Sequence, residues 1–226
     1  MTQSPANGAR ATRLSRERIV AAVVELLETD GVDGVTTRTI GTALHVHPTA
    51  LYRYFRDMDE LIREAADHIL EGLAEETPEA AGRDPLDVLV ELCHGLRTAL
   101  MTHPGAAGGV ASGPSRMPHE RALTERMLDL LGRTGMSDDD VVLAYHAFIE
   151  YTVGSAAIDA PGKGTEADEE SRHRAWRADY LTASPEDFPV TVRLASLLYP
   201  TQDTQFRYGL QLLVDGLRTR LAADTP

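Results

Sequence analysis

The chain has 226 residues, 42% of them hydrophobic and 25% charged, which is enough to bury a core without metal or disulfide staples. A single cysteine, Cys93, excludes an intrachain disulfide and fits a reducing compartment. With no leader-like start and no uninterrupted apolar run of about 18 residues, a cytoplasmic protein without a membrane partner is expected.

The chain opens on a polar stretch, 1–14, with Arg10 and Arg13 as a basic arm that is expected to be disordered. Ser15 reads as an N-cap before RERIVAAVVELLETDG, where Ile19, Val23, Leu26 and Leu27 recur at helical spacing and Gly31 is a stop. Thr36 caps a short helix, TRTIGTAL. HVH follows, and Pro48 suits the first position of a two-turn helix, PTALYRYF. Asp57 or Asp59 caps a longer helix over 58–76. TPEAAGRDP (77–85) is a turn-rich break. LDVLVELCHGLRTALMT is a helix that stops at His103-Pro104, and the Gly- and Pro-rich 104–118 reads as a loop with a short helical turn. Helices then follow over HERALTERMLDLLGRTG and over DDDVVLAYHAFIEYTVGSAAID behind a Ser137 cap, with an acidic first turn that suits the helix dipole. After a break at 160–167 come a charged helix, EESRHRAWRADYLTA, a shorter one through VTVRLASLLY, and a last one, FRYGLQLLVDGLRTRLA. No repeat and few period-2 strands are found, so the fold class is all-α.

The formal net charge of −13 by itself argues against a nucleic-acid binder. Its placement reverses that. Residues 1–63 hold eight Arg and eight acidic side chains, so the whole acidic excess falls on residues 64–226. A neutral head is compatible with DNA contact through a few placed Arg residues, and an acidic body favours one docking orientation. Three short helices in about 60 residues, with a tight turn between the second and third, describe a helix-turn-helix, whose third helix enters the major groove.

The stretch TTRTIGTALHVHPTALYRYFRDMDELIREA, and LYRYF followed by DMDEL in particular, resembles the N-terminal motif of the TetR family of transcriptional regulators. The close resemblance covers residues 15–65. It implies a helix-turn-helix DNA-binding domain over 15–63 and an effector-binding and dimerisation domain over 64–226. Matched by position, Thr37, Arg38, His47, Pro48, Thr49, Tyr52 and Arg53 are implied DNA contacts. An Arg can bridge guanine O6 and N7, a Thr methyl or Pro ring can meet a thymine methyl, and a Tyr hydroxyl can hold a phosphate. Leu44, Val46, Leu51 and Phe55 read as the small core that sets the helix angle. Two positions depart from the family pattern. His45 stands where the turn usually has Gly, in a left-handed conformation that costs a side chain about 1 kcal/mol. Met58 stands where a phosphate-gripping Lys is usual, which leaves Arg56 as its substitute.

For the second domain the resemblance implies a homodimer built on a four-helix bundle. Its seams are expected at Val142, Tyr145, Ile149 and Val153 and at Phe206, Leu210, Leu213 and Leu217, with Gly154, Gly209 and Gly216 allowing close approach. It also implies a pocket for a small-molecule effector, with candidate residues His68, Arg97, Met101, Met127, His146, Glu150 and Trp176. Cys93 reads as a buried small hydrophobe. The implied function is a ligand-responsive regulator, a repressor by preference, that binds a palindromic operator. An activator of the same fold, or a helical protein-binding dimer with a degenerate head, are the alternatives. No catalytic motif and no phosphate loop are found, so neither an enzyme nor a cofactor is expected. His45 and His47 alone make too few ligands for a metal site.

Overall fold

Ser15 fixes the start of the first helix. Its hydroxyl accepts from the Arg18 amide at 3.3 Å, and α1 runs Arg16–Asp30 behind it. Ile19, Val20, Val23, Val24 and Leu27 carry the apolar stripe into the core, and Gly31 ends the helix at φ +70°. The computed structural model describes residues 13–76, 82–105, 110, 113–159 and 166–223; the arm expected over 1–14 falls almost wholly outside them.

α2, Thr37–Leu44, opens on a reciprocal cap: Thr36 Oγ1 accepts from the Thr39 amide, and Thr39 Oγ1 accepts from the Thr36 amide. It closes on His45 at φ 55°, ψ 43°, the left-handed conformation expected of the turn. The chain then folds back hard. A Cβ on Gly41 would lie 2.9 Å from the Val46 carbonyl oxygen and 3.3 Å from Pro48 Cγ, so only glycine lets the turn sit this close to α2. The next segment differs from the expected α-helix. Pro48–Arg53 is a 3-10 helix, in which Ala50 and Tyr54 donate three residues back to His47 and Leu51, both at 2.9 Å.

α3, Met58–His68, is capped by Asp57, whose Oδ1 accepts from the Glu60 amide at 2.7 Å. The single helix expected over 58–76 is broken. Residues 69–72 form a turn with Gly72 at φ +82°, and α4, Leu73–Glu76, restarts after it. Ile69 and Leu70 at the break are both buried.

Asp84 caps α5, Pro85–Thr102, which buries Leu86, Leu89, Leu92, Cys93, Leu96 and Leu100 and turns Asp87, Glu91 and Thr98 to the surface. It packs on α6, Pro118–Gly132, and on α7, Asp138–Asp159; α7 also packs on α10, Gln202–Ala223. Among the described residues α7 is the one helix long and apolar enough by composition to cross a membrane. Here its apolar surface meets three neighbouring helices and an outward face described below, and its first turn is three aspartates. α8, Glu166–Leu181, packs on α9, Pro189–Leu194, and on a 3-10 turn at Ala195–Leu197. That turn cuts short the helix expected through VTVRLASLLY. An aromatic knot holds this unit: Trp176 and Tyr199 ring centroids lie 5.0 Å apart, and the Tyr199 hydroxyl donates to Tyr180 at 3.2 Å. The breaks expected at 77–85 and 160–167 fall largely outside the described residues.

Candidate nucleic-acid interface and effector cavity

The 3-10 helix separates two kinds of side chain. Leu51 and Phe55 turn inward and are buried, with Leu44 and Val46 half-buried beside them. Arg38, His47, Thr49, Tyr52 and Arg53 are exposed, and Thr37 and Pro48 are half-buried. Arg38, Thr42, His45 and Pro48 rim a shallow groove between α2 and the 3-10 helix. His47 is more than an exposed ring. Its Nδ1 lies 2.8 Å from Thr49 Oγ1 and accepts from the Thr49 amide, so it caps the 3-10 helix, and Nε2 is the nitrogen available to an outside partner.

Arg16, which the sequence reading did not single out, holds this head together. Its Nε donates to Glu64 Oε1 at 2.8 Å and its Nη2 to Glu60 Oε1 at 2.9 Å, and it also donates to the Tyr54 carbonyl. The guanidinium lies 4.3 Å from the centroid of the Phe55 ring. The two carboxylates raise the Arg16 pKa, and Arg16 in turn holds the Glu60 carboxyl below its ordinary range. α1, α3 and the chain between them are thus tied at one residue. The only sequence signal was the Glu60, Glu64 pair, four apart on one helix face. At the two departures from the family pattern, Met58 packs half-buried against the core, while Arg56 stays exposed and pairs with Asp57 at 3.3 Å.

In the body, a cavity of about 420 Å³ opens between α5, α6 and α7. Leu96, Leu123, Ile149 and Val153 supply apolar wall, and Glu120, Thr124, Tyr145, His146 and Glu150 supply the polar groups. A second recess of about 430 Å³ lies beside it, lined by Ile62, Arg63, Ala66, Ser115 and Arg116. Leu70, Val110, Gly113, Pro114 and Glu120 line both. One wall therefore belongs to the cavity and to the end of α3. Asp67, buried at the end of α3, fastens that wall: it accepts from the amides of His119 and Glu120 at 3.1 and 2.8 Å and from Ser115 Oγ at 3.1 Å. Asp67 so caps the N-terminus of α6 from another helix.

Of the effector candidates, the structure brings His146 and Glu150 to the cavity. The structure places the others elsewhere. His68 pairs with Glu71 at 3.0 Å on the surface of α3. Arg97 pairs with Asp159 at 2.9 Å and lies 4.8 Å from the Phe206 ring, bracing α5 against α7 and α10. Met127 is buried in the core and Met101 is half-buried against it; Trp176 sits half-exposed in the aromatic knot on α8. The structure also separates the residues of both bundle seams. Tyr145, Ile149 and Val153 line the cavity, leaving Val142 as the exposed member of its seam. Phe206, Leu210 and Leu217 are buried within the chain, with Leu213 half-buried beside them. Gly209 is occupied too: a Cβ there would lie 2.0 Å from the Tyr151 hydroxyl, which donates to the Phe206 carbonyl. The outward faces carry other residues: Leu143, Ala147 and Ile158 on α7, Tyr208 and Leu212 on α10.

Comparison with known proteins finds two matched regions. Residues 19–65 match the model of bacterial regulatory proteins of the tetR family, and residues 77–221 match the tetracyclin repressor-like C-terminal domain. A curated HTH-type transcriptional regulator of Saccharopolyspora erythraea is 28% identical over 204 residues, covering 90% of this chain and 84% of that protein. The class D tetracycline repressor protein of Escherichia coli is 27% identical over 214 residues, covering 93% of this chain and 92% of its own. The solved structure of SCO7222, a TetR from Streptomyces coelicolor, superposes with a TM-score of 0.76 at 28% identity, covering 90% of this chain and 97% of that one. With a capped helix-turn-helix at one end and the matched helical domain over most of the remainder, this chain belongs to the TetR family of transcriptional regulators.

Proposed function

We propose that this protein is a homodimeric repressor that holds a palindromic operator and is released from it by a small molecule bound in the cavity between α5, α6 and α7. One observation carries the reading: the cavity shares its wall with the end of α3, the helix that joins the DNA-binding head to the body. A ligand that changes the position of Pro114 or Glu120 acts on Asp67, and through α3 and Arg16 on the whole head. Such a ligand shifts the population of two head spacings, and its leverage equals its differential affinity for them, on the order of 1–3 kcal/mol per site.

The DNA contacts we assign are Arg38, His47, Thr49, Tyr52 and Arg53, with Thr37 and Pro48 at the edge of the face. Two heads must sit about 34–36 Å apart to read successive major grooves, which a two-fold dimer supplies. We assign the dimer contact to the outward faces of α7 and α10. Leu143, Ile158, Tyr208 and Leu212 are all more than half exposed in the single chain, and a side chain at Gly216 would meet nothing of the chain's own. The test is selection from a random double-stranded DNA pool, followed by affinity measurement at two salt concentrations. Enrichment of a palindrome with salt-dependent affinity is expected. Absence of enrichment at low salt sinks the operator reading and leaves a helical dimer with a degenerate head.

A further inference from the structure

Apart from His146, whose Nδ1 lies 3.9 Å from Glu150, the polar side chains of the cavity offer acceptors. Thr124 Oγ1 donates to Glu120 Oε1 at 2.8 Å and so spends its one hydrogen. The Tyr145 hydroxyl, 3.1 Å from the same Thr124 oxygen, must then be the donor of that pair. What Tyr145 offers to anything else is an oxygen lone pair. Glu120 is held in place from its other side, since the Arg116 amide donates to Oε2 at 3.1 Å. Glu150 lines the cavity four residues beyond His146, with its carboxylate largely exposed. Two carboxylates and a phenol oxygen therefore meet the cavity. Among the described lining residues there is no Arg or Lys.

Opposite these groups the wall is hydrocarbon: Leu70, Leu96, Leu123, Ile149 and Val153. A ligand that fills the space must bury an apolar body, and it must bring its own hydrogen-bond donors. An anion would face two like charges with no Arg or Lys among the described lining residues to offset them. An ammonium meets the reverse: carboxylates of opposite charge, Glu120 among them held by Thr124 and the Arg116 amide, and the Tyr145 oxygen. The field of the whole body, which carries the chain's acidic excess, also draws cations inward.

We propose that the effector is a compact or flat apolar molecule bearing a protonated amine, with the amine held by Glu120, Glu150 and the Tyr145 oxygen. This rests on the reading of the cavity as the effector site. The two basic side chains nearby, Arg63 and Arg116, line the neighbouring recess instead, so an anionic competitor has an identifiable place to go.

The test uses the full-length protein and one ring system in three charge states: 9-aminoacridine as cation, acridine as neutral body and acridine-9-carboxylate as anion, each titrated by fluorescence or calorimetry at neutral pH. The cation is expected to bind at least tenfold more tightly than the anion. Glu150→Gln, an exposed position that leaves the fold untouched, is expected to reduce that preference severalfold, and Glu120→Gln to reduce it further, while binding of neutral acridine stays unchanged. Equal or tighter binding of the carboxylate, or a cation preference unmoved in the Glu120→Gln, Glu150→Gln double variant, overturns the proposal. Carboxylate binding that disappears in Arg63→Gln, with cation binding still dependent on Glu120 and Glu150, places the anion in the outer recess and supports the proposal. Failure of all three rings to bind overturns the effector cavity itself, a separate result from a wrong charge.

Discussion

Arg53 stands exposed two residues after the buried Leu51, at the end of a helix whose other side is fixed by packing. Its side chain is thus presented by a rigid support, which is what base recognition needs. Arg53→Ala is expected to weaken binding to the selected operator by about 1–3 kcal/mol and to relax specificity at one base pair. Fluorescence anisotropy on matched and single-substituted operators reads both effects, and unchanged affinity removes Arg53 from the interface. Cys93 is the opposite case. It is buried on α5, and burial pushes its thiol up to about 12 from an ordinary 9.0. The thiol therefore stays protonated and unreactive in the folded chain. Labelling by a disulfide reagent at pH 8 should be roughly a hundredfold slower in the folded than in the urea-unfolded protein, because it must wait for opening. The raised value also sets a sign for stability. The contribution of a neutral Cys93 is fully present below about pH 9 and is lost as pH rises from there toward about 12.

At the scale of elements, Asp67 joins helices that are far apart in sequence. Three donors from residues 115–120 converge on a carboxylate at the end of α3. Asp67→Ala leaves buried donors without their acceptor and should cost roughly 1–3 kcal/mol of unfolding free energy, seen as a lower urea midpoint with an unchanged slope. Asp67→Asn keeps one carbonyl acceptor and should recover part of the loss. If Asp67→Ala unfolds at the wild-type midpoint, the fastening carries no energy. None of this was legible in the sequence. Asp67 reads there as one more acid on a charged helix face, and its partners lie across a loop of no regular period. The starts of α1 and α2 were legible, because Ser15 and Thr36 are local signals whose energetics do not depend on the rest of the fold. The 3-10 helix and the break at Gly72 were not, because tertiary packing of Leu51, Ile69 and Leu70 decides them.

For the whole molecule, the outward faces of α7 and α10 carry the prediction. Leu212 is 54% exposed and Leu143 is 67% exposed in the single chain. Leu212→Glu should convert the proposed dimer to monomer by light scattering, with little change in helical content, and should abolish cooperative binding to the palindrome. A dimer that survives both Leu212→Glu and Leu143→Glu would move the interface elsewhere. The residues of the expected seams are divided here between the cavity, the core and the outward surface. α7 is apolar on several sides, so its periodicity does not say which stripe meets the cavity, the core or a second copy. Of the seven effector candidates, only His146 and Glu150 reached the cavity, for the same reason. A histidine or methionine on a helix face gives no sign of what stands opposite.

The sequence by itself determined the all-helical class, the placement of the helix-turn-helix, the left-handed turn at His45 and the family to which the chain belongs. These rest on signals that act within a few residues: caps, stops, helical period and a motif of fixed spacing. The tertiary structure alone decided which helix faces became core, cavity or outward surface. It alone placed Arg16 across α1 and α3, and it alone set Asp67 at the wall shared by the cavity and the head. The physical reason is one of range: local hydrogen bonds fix where a helix starts and stops, whereas the neighbours of its faces depend on how the other helices pack against it.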